Sequence, residues 1–468
     1  MSAPARFMIA AAHKSSGKTV ISAGIAAALA AREGAVGVFK KGPDYIDPMW
    51  LHLAAGRPAY NLDFNTMEPG EILSRFASRA AGCAVNLIEA NKGLYDGVCP
   101  DGSDSNAALA KLLSCPVVLV IDTRGMTRGI APLLLGYTAF DPEVRVAGVI
   151  LNRTGGTRHE GKLRQAVEMY TNLPVLGAVG NTPELDISER HLGLTTPAER
   201  RDTRGFLAGV AARLERSVDL DAIHTIARSA PQLPAVLPER PPALPGPRLR
   251  IGIARDEAFS FYYPDDLETF AAAGADLVPV DMLRDPALPP VDGLFIGGGF
   301  PETQMGALAA NTAMRASLHA ALEGGLPTYA ECGGLMYLTR SITWKGETRP
   351  MVGFFDADTV VQDRPQGRGH VRFAATAAAL WPAAGTEGRA HEFHYSRLEN
   401  MSDPLFGRTV SRGHGIDGQH DALVRGNTQA GFIHLRHTTQ TPWVTQFLRF
   451  VANVRAAKSP ARKERGHA

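Results

Sequence analysis

Cysteine is scarce in this chain: four among 468 residues, at Cys83, Cys99, Cys115 and Cys332. Their spacing makes neither a C-x-x-C metal pattern nor a disulfide framework, so a reducing, cytoplasmic setting is expected. A surplus of charge is missing as well. Lysine and arginine number 49 against 47 aspartates and glutamates, a formal net charge of +2. Nucleic-acid binders carry a basic patch or stripe, and this balance gives no reason to expect one. Long apolar runs are also lacking. A membrane span needs about 18 consecutive apolar residues, and no uncharged run approaches that, so no membrane partner is expected. The apolar start MSAPARFMIAAAHKSSGKTVISAGIAAALAA imitates a signal peptide, but His13, Lys14 and Lys18 interrupt it. No internal repeat is seen.

What the chain does contain is two rounds of strand–helix alternation. Its length suggests two or three domains. RFMIAAA reads as a short buried strand and TVISAGIAAALAARE as the helix after it. VGVFKKG, AVNLIEAN, PVVLVIDT, RVAGVILNR and PVLGAVG are further runs of strand length. Such alternation means an α/β domain with a mainly parallel sheet, placed at residues 1–230. Residues 231–248 are rich in proline and lack periodicity, so they read as a linker. LRIGIARD restarts the pattern, and a second α/β domain is placed at 249–455. The charged stretch 456–468 is expected to be a disordered tail.

AHKSSGKT follows a strand and opens a helix. Ser15, Ser16 and Gly17 would let backbone N–H groups curl around phosphate at the helix N-terminus. Lys18 would reach the terminal phosphates, and the Thr19 hydroxyl would ligate Mg²⁺. The match is partial, because Ala12 stands where the full G-x-x-x-x-G-K-[ST] pattern has glycine. Carboxylates follow near strand ends: Asp44 and Asp47 in KKGPDYIDP, Glu89 in VNLIEANKGLYDG, and Asp96 soon after. Carboxylates at the C-terminal ends of parallel strands face the ligand crevice. Each alone reads as a turn residue or cap. As a set beside a phosphate loop they read as metal and substrate groups, since Mg²⁺ takes oxygen ligands and shares its shell with phosphate.

In the second domain, YAECGGLMYL puts Cys332 between a strand and a glycine-led apolar helix. This resembles a nucleophile elbow, whose turn exposes the side chain and whose helix N-terminus favours the thiolate. Gly333 and Gly334 allow close approach of a substrate. The upstream IGGGF, with Gly299 and Phe300, supplies backbone N–H groups for an oxyanion hole. His434, in GFIHLRH after another short strand, is the candidate base. A lone cysteine is often simply buried. The other three cysteines keep that reading.

At these residues the chain is recognisable. The second domain resembles class I glutamine amidotransferases, and the whole chain resembles the cobyrinic acid a,c-diamide synthase family, including its hydrogenobyrinic acid form. The matching stretches are FKKGPDYIDP, NLDFNTM, GLYDG, VVLVIDT, GVILNR, GGGFPE, YAECGGLMYL, HEFHYSRL and GFIHLRH, in order through both domains. The resemblance implies a P-loop, dethiobiotin-synthetase-like parallel sheet followed by an α/β amidotransferase domain. It implies ATP and L-glutamine as co-substrates, Mg²⁺ as cofactor, and amidation of the a and c acetates of cobyrinate or hydrogenobyrinate. Cys332 is then the nucleophile and His434 its activator. Lys18, Thr19, Lys40, Asp44 and Glu89 fall on ATP–Mg²⁺ positions, Asn152 where related domains read the adenine, and Tyr45 and Asp96 near the tetrapyrrole side chain. A homodimer is left open.

Three departures follow. Most glutaminase domains of this class have H-x-E, whereas this chain has His434-Leu435-Arg436, so a Cys–His dyad is expected. The phosphate loop is poorer in glycine than is usual. EANKG replaces the usual EG-x-MG and puts Lys92 near the expected substrate site. The last two features look like relatives proposed to amidate sirohaem, and others amidate Ni-sirohydrochlorin, so these substrates stay open. A different class, a P-loop ATPase switch with a non-catalytic second domain, is the rival reading. Intact Cys332 and His434 count against it.

Overall fold

The computed structural model describes residues 4–182, 187, 189–190, 193–235, 243–244 and 246–458. Residues 236–242 and 245 of the proline-rich stretch, and 459–468 of the expected tail, lie outside the described residues. The chain divides into two compact units, Met1–Glu239 and Arg240–Ala468. Among the described residues no helix is long and apolar enough to cross a membrane.

The first unit is built on seven parallel strands: β1 (Arg6–Ala11), β2 (Val36–Lys41), β3 (Ala59–Leu62), β4 (Val85–Glu89), β5 (Val117–Asp122), β6 (Val146–Thr154) and β7 (Val175–Gly180). Their order is β3-β2-β4-β1-β5-β6-β7. Continuous apolar runs such as RFMIAA suit strands covered by helices on both faces, and every residue of β1 is buried. Met8, Phe39, Phe76, Ile88 and Leu119 meet in the core on one side of the sheet. The chain builds outward through β2 and β3, returns with β4 beside β1, then crosses to β5. A crevice forms at such a reversal, outside the carboxyl ends of the strands. Register sets what faces it: Lys40 lies opposite Glu89, and Asp122 opposite Asn152. Helix α1 (Lys18–Glu33) leaves the loop after β1. Its small residues let another helix approach closely. A side chain at Gly24 would come within 2.7 Å of Val210.

The second unit carries a nine-stranded sheet. Five strands run parallel, in the order Ala275–Val280, Leu249–Ala254, Gly293–Ile296, Thr328–Glu331 and Thr428–Gly431. Four antiparallel strands extend it: His420–Arg425, Phe406–Arg412, Gly367–Ala375 and Glu387–His394. Strand–helix alternation made the parallel half legible. The antiparallel half is an addition, and in Gly367–Ala375 buried residues alternate with more exposed ones from Val371 onward, the pattern of a strand covered on one face. Phe295, Tyr329, Trp381, Trp443 and Phe447 pack an aromatic core against the parallel strands. The last helix, Trp443–Lys458, runs three residues into the segment expected to be a tail.

Candidate active sites

The phosphate loop follows from its backbone. Ser15 and Gly17 take positive φ, 59° and 79°, so the chain turns sharply between β1 and α1. Gly17 has a second reason to be glycine: a Cβ there would lie 2.5 Å from Asn152 Nδ2. The loop is braced from β6. Asn152 Nδ2 donates to Ser16 O at 2.8 Å, and Arg153 NH1 donates to Ser15 O at 2.8 Å. Arg153 is itself held by Asp122 at 2.8 Å. In this arrangement the Asn152 amide rests on the phosphate loop.

Lys18 is buried and donates to Lys92 O at 2.6 Å. Burial, reinforced by Lys40, lowers its pKa to about 8. A phosphate would supply the counter-charge that this ammonium has little of. Glu89, fully buried at the end of β4, accepts from Thr19 Oγ1 at 3.0 Å and from Lys40 Nζ at 2.8 Å through Oε1. Its other oxygen, Oε2, is buried without a hydrogen bond. Burial pushes the Glu89 pKa up, with Lys40 opposing. Lys40 Nζ also meets Asp47 Oδ2 at 2.5 Å, and this ion pair holds Asp47 low despite burial.

The hard oxygens of Thr19, Glu89 and Asp47 suit Mg²⁺, which binds through one or two carboxylates plus phosphate and water. No three-residue His/Cys/Asp/Glu cage exists among the described residues. Such a shared shell does not need one.

Asp44, the other carboxylate of KKGPDYIDP, is tied to the backbone through one oxygen. Its Oδ1 accepts the backbone N–H groups of Ile46 at 2.8 Å and Asp47 at 3.2 Å, which starts the helix Ile46–Ala55. Burial and the Asp47 charge raise its pKa to about 7. Tyr45 stands half-buried at that helix start. The Lys92 and Asp96 side chains are exposed on the loop after β4, where Asp96 Oδ2 accepts from Gly93 N at 2.9 Å. The sequence groups Asp47 with Asp44 as a metal or substrate carboxylate, whereas two partners, Asp122 and Arg153, were not singled out as site residues. Strand-end positions within VVLVIDT and GVILNR were the available signals.

In the second unit Cys332 has φ 47° and ψ −101°, a strained backbone for a non-glycine residue between a strand and the helix Gly333–Leu338. Its N–H donates to Gly431 O at 2.7 Å. His434 is in hydrogen-bond contact with Cys332 and lies 3.4 Å, Nδ1 to Oε2, from Glu331. Burial alone would lower the imidazole pKa. The bonds to Cys332 and Glu331 outweigh it and raise the value to about 10. Glu331 is fixed in turn by Tyr329 OH and Leu435 N, both at 2.8 Å.

This corrects the expected dyad. The carboxylate that orients His434 comes from the residue before the cysteine, not from two residues after the histidine. Arg436, at that latter position, is buried and paired with Asp265 at 2.8 Å. Gly299 and Gly333 adjoin: a Cβ on Gly333 would lie 3.1 Å from Gly299 N. Gly299 has φ 157°, and a Cβ there would lie 2.0 Å from Ala258 O. Phe300 packs edge-on against Phe261, 5.2 Å between ring centres.

Comparison with known proteins accords with both units. Residues 250–441 match the CobB/CobQ-like glutamine amidotransferase domain, and residues 5–188 match an AAA domain. An ATP-binding unit and a glutaminase unit in one chain define a carbon–nitrogen ligase that draws its nitrogen from glutamine. Among curated relatives, a cobyrinate a,c-diamide synthase of Magnetococcus marinus is 42% identical over 453 residues, spanning 95% of this chain and 97% of the relative. Enzymes of the same name from Dehalococcoides mccartyi and Methanosarcina acetivorans are 40% and 39% identical, spanning 95% and 97% of this chain and 97% of each relative. The chain belongs to the cobyrinate a,c-diamide synthase family.

Proposed function

We propose that this ligase amidates the a and c acetate carboxylates of cobyrinate, or of its metal-free counterpart, using ATP, Mg²⁺ and glutamine. The observation that carries the reading is the presence in one chain of two complete reacting sets: Cys332–His434–Glu331, and Lys18–Thr19–Glu89 under a braced phosphate loop. Cys332 Sγ attacks the glutamine side-chain carbonyl. The tetrahedral oxyanion forms beside the Gly299 and Gly333 backbone. Its collapse breaks the C–N bond, His434 gives the leaving nitrogen its proton, and ammonia departs from a thioester that water later hydrolyses.

A carboxylate is a poor electrophile, so an acetate oxygen first attacks the γ-phosphorus of ATP to give an acyl phosphate and ADP. Lys18 neutralises charge that builds on the transferring phosphoryl group. Bound Mg²⁺ would add the same neutralisation through Thr19, Glu89 and Asp47. Ammonia then adds to the acyl carbon and phosphate leaves, giving the amide. Tyr45, Asp96 and Lys92 stand on the segments that would meet the tetrapyrrole.

The test is mass spectrometry of cobyrinate, hydrogenobyrinate, Ni-sirohydrochlorin and sirohaem after incubation with ATP, Mg²⁺ and glutamine. Each amidation replaces OH by NH₂ and lowers the mass by about one unit. Two such steps on cobyrinate support the reading. Amidation of sirohaem alone would replace the substrate, and ATP turnover with no tetrapyrrole product would favour the switch.

A further inference from the structure

Strand β2 ends in two consecutive lysines with opposite surroundings. Neighbours on a strand face opposite sides of the sheet. Lys40 meets Asp47 and Glu89 on one side. Lys41, on the other, is only 7% exposed, and no hydrogen bond or ion pair ends on its Nζ among the described residues. The acidic charges it feels are Asp63 and Asp104. Both are engaged elsewhere. Asp63 accepts from Asn65 N at 3.1 Å and Thr66 Oγ1 at 2.9 Å. Asp104 accepts from Val98 N at 2.9 Å and Cys99 N at 3.0 Å. Burial, only partly offset by these carboxylates, keeps the Lys41 pKa below the ordinary lysine value.

A second cation lies close by. The turn at Gly42, next to Lys41, touches the loop that carries Lys92: a Cβ on Gly42 would stand 3.0 Å from Asn91 Nδ2. That loop is pinned to the phosphate site, since Lys92 O accepts from Lys18 at 2.6 Å. Lys92 itself has φ 41° and an exposed side chain. Lys41 therefore sits beside the loop that borders the phosphate site, close enough to feel the charge of Lys92, a cation that solvent reaches.

We infer that Lys41, with Lys92 beside it, forms a subsite for a second carboxylate of the substrate, distinct from the acetate being activated. The inference rests on the tetrapyrrole-amidase reading above. A largely buried lysine that no ion pair holds costs folding free energy, and a polycarboxylate supplies an anion in direct contact. Adjacent acetate and propionate arms on the macrocycle place two carboxylates within reach of one crevice. An exposed lysine alone contributes little. The buried partner makes the contact selective, because charge-assisted bonds in a drier setting are roughly twice as strong as neutral ones.

The experiment uses the full chain with Lys41→Met and Lys41→Arg. Cobyrinate binding is titrated by its visible absorbance without ATP. Steady-state amidation and the melting temperature are measured alongside. Lys41→Met is expected to weaken binding and raise KM about tenfold with kcat changed less than about threefold, the signature of lost ground-state binding. Lys41→Arg is expected to recover part of the affinity, and the melting temperature of Lys41→Met to stay level or rise as a lone buried charge is removed.

Wild-type affinity in Lys41→Met overturns the subsite. So does a fall in melting temperature with unchanged KM, which would make Lys41 a structural counter-ion for Asp63 and Asp104. A wild-type chain that binds cobyrinate through Lys41 yet never amidates it overturns only the proposed reaction. A wild-type chain that binds no tetrapyrrole overturns both.

Discussion

Glu331→Gln removes the charge that lies 3.4 Å from His434 while keeping the side chain's size. Two unit charges about 4 Å apart interact by about 4 kcal/mol at an effective dielectric of about 20. The full amount is an upper bound, because Tyr329 OH and Leu435 N already draw on the carboxylate and glutamine keeps a hydrogen bond. Half of it, about 2 kcal/mol, corresponds to a fall of roughly 1.5 units in the His434 pKa. As lost transition-state stabilisation it is about a 30-fold drop in glutaminase kcat/KM. In the native protein His434 keeps its proton up to about pH 10, so glutaminase activity should fall only on approaching that pH. In Glu331→Gln the falling limb moves down by one to two units.

Stability gives a second readout with a fixed sign. A histidine pKa raised from the ordinary 6.5 to about 10 stabilises the fold fully below 6.5, and that contribution is lost as pH rises through 10. The difference in melting temperature between native protein and variant should therefore be largest near pH 6 and shrink toward pH 10. Glutamine hydrolysis is followed by ammonia release between pH 6 and 10.5. A variant with kcat/KM within about twofold of native and an unmoved limb would refute the Cys332–His434–Glu331 arrangement.

Cys332→Ala should lose glutamine-dependent product yet still use high ammonia at raised pH. Lys18→Ala and Glu89→Gln should lose product from both nitrogen sources, with the amide measured in each case. Gly299→Ala forces a Cβ to within 2.0 Å of Ala258 O, so glutaminase kcat should fall by about 10²–10³, the usual loss for a displaced oxyanion donor. Ammonia-dependent synthesis should survive it. Arg436→Met leaves Asp265 without its cation and should lower stability by about 3–5 kcal/mol in denaturant unfolding. Glutaminase activity per folded molecule should persist, because the histidine's carboxylate lies elsewhere.

Much of this protein was legible from local pattern. A buried parallel strand needs apolar residues on both faces, so β1 and its neighbours declared themselves as short apolar runs. The phosphate loop was equally plain, because a strand, a tight turn with Gly17 and a helix led by Lys18 and Thr19 are contiguous in the chain. Cys332 stood out for the same reason, wedged between a strand and two glycines. Antiparallel strands such as Gly367–Ala375 were not read, since their one-sided burial leaves an alternation that polar loops also show.

What the tertiary structure alone decided is which charges meet. Asp44 and Asp47 are three residues apart in sequence, yet one starts a helix and the other clamps Lys40. Arg436 occupies the place where an orienting carboxylate was sought. The carboxylate arrives instead on Glu331, from a strand whose parallel partner leads to His434. Lys40 and Lys41 are adjacent in the chain, and pleating sends one into an ion pair with two carboxylates and the other to a place where the nearby carboxylates, Asp63 and Asp104, are bonded elsewhere. Sequence orders residues along a line, and electrostatic partnership is set by distance in space. Only the folded sheet could assign these partners.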